Sequence, residues 1–334
     1  MFQTDPHLWL QSFDSPFLRT AMQAVSLLGE EEFFALMIMA LLFGFERRRG
    51  FIMVQVVLWT AIVTGVLKDL LALPRPVHVD ALVADYANGG QNPSSFIGRD
   101  APGFLAPLPD DVVAYYRNVS GISYGFPSGH CSSSIAAWGS LALLFRHAWL
   151  IWCTFALLLL MPLSRMYLGR HFLADVIGGI ALGMFVLLVV ATLQRGWALG
   201  RTGRGEHTKR LPWISWKEIL FMLVVPAAAM MIFTGARQEC ATLLGLNIGY
   251  LVSNRLISLD PPRSVPRRIL SIIVAAGLFV VLIAGVSALN SRFQLPADAF
   301  VILPQRAAVA AIGVIGAYWI IKRFFVGRTS AQSS

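Results

Sequence analysis

The chain has 334 residues, 56% of them hydrophobic and only 13% charged. That is too apolar for a soluble domain of this length, and the apolar residues gather in runs of about 17–25, long enough to cross a bilayer. A net charge of +9 invites a nucleic-acid partner. The cations, however, fall in short loops between the apolar runs, which is the pattern of membrane orientation, and no nucleic-acid partner is expected.

In chain order, residues 1–30 hold Asp5, Asp14, Arg19 and Glu30 without a continuous apolar core, so no cleavable leader is expected. Phe17–Leu28 either extend the short first span backward or form a helix lying in the membrane interface. Apolar runs predict nine spans near 31–45, 51–72, 130–146, 148–164, 172–194, 215–235, 240–257, 269–289 and 306–325. The expected fold is therefore all-α: a polytopic helical membrane protein. A membrane core occupies 1–195, with a long loop at 77–126. A basic linker at 196–213 then precedes additional membrane helices at 214–334. Loops as long as 77–126 serve as lids or binding elements, or else as partly ordered connectors. Gly179-x-x-x-Gly183 and Gly245-x-x-x-Gly249 are small-residue patterns for close helix packing.

The basic residues at 47–49, 146–147, 195–210, 263–268 and 322–323 fall on one side of a nine-span chain. Loop 77–126 instead carries Asp80, Asp85, Asp100, Asp110 and Asp111 against Arg99 and Arg117. The positive-inside rule then places the N-terminus outside and the C-terminus in the cytoplasm. Cys131, Cys153 and Cys240 form no disulfide framework. Cys153 falls mid-span as an inert core thiol, and free thiols at Cys131 and Cys240 are favoured over a bridge.

Three polar islands interrupt the apolar pattern, all on the outer side. In the first, Lys68 and Arg75 are seven residues apart, about two helical turns, which aligns them. Pro74 and Pro76 end that helix, with Arg75 at its frayed end. Taken alone, these are ordinary snorkelling cations. The second island is Pro127-Ser128-Gly129-His130, just before an apolar run. The first-turn N–H groups of the helix starting there form an anion site, the Ser128 hydroxyl adds a donor, and His130 can exchange a proton near neutral pH. A capped helix start with an interfacial histidine is the plainer alternative.

The third island is Ser164-Arg165 followed by His171 and Asp175. The last two are four apart and share a helical face, so Asp175 can hold one ring nitrogen and leave the other as a nucleophile. Arg165, in the preceding short turn with Gly169, can bind phosphate oxygens with its planar fork. An interfacial salt bridge to Asp175 is the plainer alternative. His78, His130 and His171 lack the compact spacing of a zinc helix, and the cations already neutralise phosphate. No metal and no cofactor is expected.

These blocks, Lys68-x6-Arg75-Pro76, Pro127-Ser-Gly-His130 and Ser164-Arg165-x5-His171-x3-Asp175, resemble the signature of the type 2 phosphatidic acid phosphatase superfamily over roughly residues 30–195. The resemblance implies a helical bundle like that of vanadium haloperoxidases and metal-independent dephosphorylation through a phosphohistidine. It implies His171 as nucleophile, Asp175 as its orienting partner and His130 as the acid for the leaving oxygen. Lys68, Arg75, Ser128, Gly129 and Arg165 are then the phosphate cradle. The extra C-terminal spans resemble instead the sphingosine-phosphate phosphatases and glucose 6-phosphatases, which leaves the substrate open. The expected activity is hydrolysis of a lipid phosphate monoester or diphosphate at the outer leaflet. The partners are that lipid and the surrounding membrane lipids, in a bacterial inner membrane with the site facing the periplasm, or the lumen in a eukaryote. Lipid phosphotransfer, sugar-phosphate hydrolysis and non-catalytic lipid transport are the alternatives, and the oligomeric state stays open.

Overall fold

A computed structural model describes residues 1–92, 94–201, 216–257 and 264–325. The described residues form helices and no strands. They divide into two compact units, one of Met1–Phe34 with Trp59–Gly203 and the other of Ala35–Leu58 with Arg204–Ser334.

The first unit opens with α1 (Asp5–Gln11) and α2 (Pro16–Leu27). Ser15 starts α2 by accepting the Leu18 N–H at 3.2 Å, with Pro16 in the first helical position, where its missing N–H costs nothing. Then come α3 (Glu31–Met39), α4 (Arg47–Leu71), α5 (Pro76–Val79) and α6 (Asp110–Arg117), of which α3 and α4 are shared between the units. The bundle is completed by α7 (Gly129–Phe145), α8 (Ala148–Tyr167) and α9 (Leu173–Arg201). Helices α7 and α9 touch through glycine: a Cβ on Gly179 would lie 2.5 Å from the Ser128 carbonyl oxygen, and one on Gly183 2.7 Å from that of Ser132. Cys131, Leu157, Met161, Met166 and Val176 fill the space between α7, α8 and α9.

The described residues of the 77–126 segment carry most of α5, α6 and a 3₁₀ turn at Tyr86–Asn88. Val79, Leu108, Val112, Val113, Tyr116 and Phe172 form their core, against which Phe2, Leu73, Phe96 and Ile122 pack. Apolar side chains thus tie this segment to the chain's first residues and to the start of α9.

The second unit contains α10 (Trp216–Ile219), a π-helical turn at Leu220–Val224, α11 (Val225–Ile232), α12 (Arg237–Leu256), α13 (Val265–Phe293) and α14 (Ala299–Phe325). Its glycine pattern also serves packing, since a Cβ on Gly249 would lie 2.9 Å from the Ala311 carbonyl oxygen of α14. Asn247 accepts from Gln55 at 2.7 Å and donates to the Met222 carbonyl at 2.8 Å, which satisfies a carbonyl in the π-helical turn.

Five helical segments among the described residues are long and apolar enough to cross a membrane: Arg47–Val79, Ala148–Tyr167, Leu173–Thr192, Val265–Phe293 and Ala299–Phe324. Of the other four expected spans, 31–45 changes to a π-helix at Ala40, and 130–146 yields α7, of 17 residues. The run 215–235 is helical over Trp216–Ile232, with a π-helical turn at Leu220–Val224. Helix α12 forms where 240–257 was expected, but it carries Arg237, Gln238, Glu239, Asn247, Asn254 and Arg255. Cys131 and Cys240 are buried free thiols, whereas Cys153 is half-buried rather than a core residue. The basic linker at 196–213 lies outside the described residues from 202 onward.

Candidate active site

The helices of the first unit alternate in direction, so four of their ends meet at one end of the bundle. Lys68 sits in the last turn of α4 and Arg165 in the last turn of α8. Ser128 and Gly129 begin α7, and Asp175 lies in the first turn of α9. Helix geometry alone thus gathers the three polar islands.

His171 is 1% exposed and Asp175 is fully buried. Their relation is not the shared helical face expected from the four-residue spacing, because α9 begins only at Leu173. The Asp175 carboxylate reaches back over the helix start instead. Its Oδ2 accepts the Phe172 N–H at 2.9 Å and faces His171 Nδ1 at 3.4 Å. Nδ1 is thus the ring nitrogen turned to the carboxylate. Burial holds the His171 imidazole well below its ordinary protonation range, and the nearby charges of Arg75, Arg165, Lys68 and His130 act in the same direction. A neutral imidazole at pH 7 is the nucleophilic form.

The cations also sit differently from expectation. Helix α4 ends at Leu71, and Ala72 turns left-handed with φ 47°. Arg75 therefore lies beyond the helix, in extended backbone at the start of α5, and two helical turns do not align it with Lys68. Ser123 anchors it: Arg75 Nε donates to the Ser123 carbonyl at 2.9 Å and Nη2 to the hydroxyl at 2.7 Å. Arg165 belongs to α8, not to the turn containing Gly169, and its Nη1 donates to Ser26 Oγ. Arg165 Nε is buried without a hydrogen-bond partner among the described residues. Lys68, Arg75 and Arg165 stand near enough to repel as like charges, which is a cost to folding. A bound dianion reverses the sign of that cost. The Ser128 hydroxyl does not cap α7, so the first-turn N–H groups of that helix remain directed at the same end.

His130, in the first turn of α7, meets Glu30 Oε1 through Nε2 at 3.0 Å. His78 is engaged elsewhere, accepting the Arg75 N–H at 3.1 Å and stacking on Tyr116. Among the described residues no three His, Cys, Asp or Glu side chains group as metal ligands.

Several contributing residues have no signal in the sequence pattern. Buried His7 of α1 meets the His171 carbonyl oxygen through Nε2 at 2.8 Å and sets its ring edge against Phe172. Asp85 pairs with Arg170 at 3.2 Å, beside His171 in sequence. Together with Ser26, Glu30 and Ser123, these residues lie 48–164 positions from their partners, beyond the reach of any local spacing rule.

Lys68, Arg75 and Arg165 thus surround a buried His–Asp pair at one end of a bundle of apolar helices. Residues 49–198 match the family model of the PAP2 superfamily. The lipid A 4′-phosphatase of Porphyromonas gingivalis is 31% identical over 122 residues, covering 36% of this chain and 50% of that protein. The chain thus spans about half the length of that curated relative. No solved structure matches.

Proposed function

We propose that the protein is an integral membrane phosphatase that hydrolyses a lipid phosphate monoester, or a lipid diphosphate, at the outer leaflet. His171 Nε2 attacks phosphorus while the bond to the lipid oxygen breaks, and His130 gives that oxygen its proton. Water then attacks the phosphohistidine, His130 takes the water's proton, and phosphate leaves. Lys68, Arg75, Arg165 and the α7 N-terminus with Ser128 and Gly129 hold the equatorial oxygens and neutralise their growing charge. In this reading no metal is required.

One observation carries the reading: His171 Nδ1 faces Asp175 while Arg75, Arg165 and Lys68 act on the same ring. The family match to residues 49–198 supports the same class of reaction. Apolar helices around the site suit a substrate with a lipid tail, and the asymmetry of basic residues favours a site facing the periplasm. The relative acts on lipid A, so a lipid A 4′-phosphate is the first substrate to test.

The test is a phosphate-release panel in detergent micelles with EDTA, spanning lipid A, phosphatidate, undecaprenyl phosphates and a sphingoid-base phosphate. Release from at least one lipid, a radiolabelled phosphohistidine in the parent protein, and neither in His171→Ala are expected. A folded His171→Ala protein with full activity refutes the mechanism, and inhibition by EDTA that added metal reverses refutes metal independence. A labelled second lipid in place of free phosphate identifies a transferase.

A further inference from the structure

The turn joining α2 to α3 reaches the site from outside the family-matched segment, which begins at residue 49. Ser26 receives a hydrogen bond from Arg165, the backbone at Gly29 lies under the His130 ring, and Glu30 faces His130 Nε2. A Cβ on Gly29 would lie 3.1 Å from His130 Cδ2 and 3.0 Å from both Met161 Cε and Ser134 Oγ. Glycine thus brings the turn close enough for the next residue's carboxylate to meet the imidazole.

We propose that Glu30 is a positioning residue for proton transfer in this reaction: its carboxylate accepts from His130 Nε2, favours the protonated ring against burial and the surrounding cations, and leaves Nδ1 to serve the leaving oxygen. The inference rests on the phosphatase reading above and assigns a role outside the three signature blocks. In the first step the proton on His130 Nδ1 moves to the lipid oxygen as the P–O bond breaks and the His171 Nε2–P bond forms. His130 then stands neutral, with Nε2–H still donated to Glu30, and Nδ1 takes the proton of the attacking water.

The charges around His130 make such a partner necessary. Burial holds His130 below its ordinary protonation range, Arg165 of α8 and Lys68 of α4 act in the same direction, and the hydrogen bond and charge of Glu30 oppose them. Without that charge, the fixed cations of a phosphate site work against an imidazolium. The hydrogen bond from His130 holds the Glu30 carboxyl below the ordinary carboxylate range, with the charges of Arg165 and Arg170 adding to the effect. The pair is therefore built to keep an anion beside the ring at neutral pH.

The experiment compares kcat/KM for two phosphates across pH in the full-length parent, Glu30→Gln and Glu30→Asp. One substrate is a lipid or alkyl phosphate, whose leaving oxygen needs a proton. The other is p-nitrophenyl phosphate, whose leaving group departs without one. General-acid assistance is worth about 10²–10⁴-fold, and Glu30→Gln should lose at least about tenfold of that on the alkyl substrate and less than about threefold on the aryl one. Its alkaline limb on the alkyl substrate should move to lower pH, and Glu30→Asp should recover part of the loss. Equal losses on both substrates, or none on either, overturn the assignment even when all variants share one unfolding temperature. A parent protein that transfers phosphate from neither substrate removes the phosphatase reading, and this inference with it.

Discussion

Gly125 sits where a single methyl group tests whether Asp175 governs His171. The glycine is buried, and its N–H donates to the Leu73 carbonyl at 2.8 Å, so its backbone is fixed. A Cβ there would lie 2.7 Å from Asp175 Oδ2 and 3.2 Å from the Pro74 carbonyl oxygen. Ordinary contact begins at 3.4 Å, so the carboxylate must retreat by about 0.7 Å. The same oxygen accepts from Phe172 and faces His171, already at 3.4 Å, so retreat on that scale disturbs the orienting contact. A misplacement of about 1 Å costs on the order of 10²-fold, which makes a loss of about 10–100-fold in kcat the expectation for Gly125→Ala. That loss corresponds to about 1.4–2.7 kcal/mol on the barrier. The assay is steady-state phosphate release from a lipid phosphate in micelles, with radiolabelled phosphoenzyme measured in parallel. Asp175→Asn serves as the reference for complete loss of the carboxylate. A folded Gly125→Ala protein whose kcat stays within about twofold of the parent refutes the claim that this geometry orients the nucleophile.

His7→Phe keeps an aromatic ring beside Phe172 but removes the contact to the His171 carbonyl. It should cost about 1–3 kcal/mol and lower kcat several-fold, as read by thermal unfolding and phosphate release. Burial depresses the folded-state protonation of both His7 and His171 below the ordinary 6.5. The stability they contribute is therefore complete above that pH and is lost as pH falls through it. Each group adds up to about 1.4 kcal/mol per pH unit, and denaturation midpoints from pH 7 to pH 5 should show a shallower slope in His7→Phe. Gly179→Ala forces a methyl to within 2.5 Å of the Ser128 carbonyl oxygen. It should destabilise by about 1–3 kcal/mol and weaken inhibition by inorganic phosphate, because the start of α7 must shift.

What the sequence made legible was local. Ser15-Pro16 marks a helix start, the glycine pairs at 179/183 and 245/249 mark close helix contacts, and Pro127-Ser-Gly precedes α7 at the expected place. Relations read through helical periodicity were less secure. Arg75 was expected to align with Lys68, yet the left-handed Ala72 ends α4 before either proline. Arg165 lies inside α8, because an apolar helix readily carries a cation in its last turn, where the helix dipole favours it. His171 and Asp175 do meet, but through a carboxylate reaching back over a helix start. Partners such as Glu30, Ser26 and His7 depend on tertiary packing of distant segments, which no window of sequence records. At 31–45 and 215–235 the described residues stay helical but pass through π-helical stretches at Ala40–Phe45 and Leu220–Val224, which composition does not reveal.

The contact between His7 and His171 also has a meaning in time. The two residues are 164 positions apart, so the ribosome makes α1 long before the loop it supports. At roughly 5–20 residues per second, α1 waits about 8–33 s for its partner. Until α9 has entered the bilayer, neither the carbonyl that His7 contacts nor the carboxylate that orients His171 is in place. The site closes late in synthesis, and a nascent chain stalled before that point holds its cations without the His171–Asp175 pair.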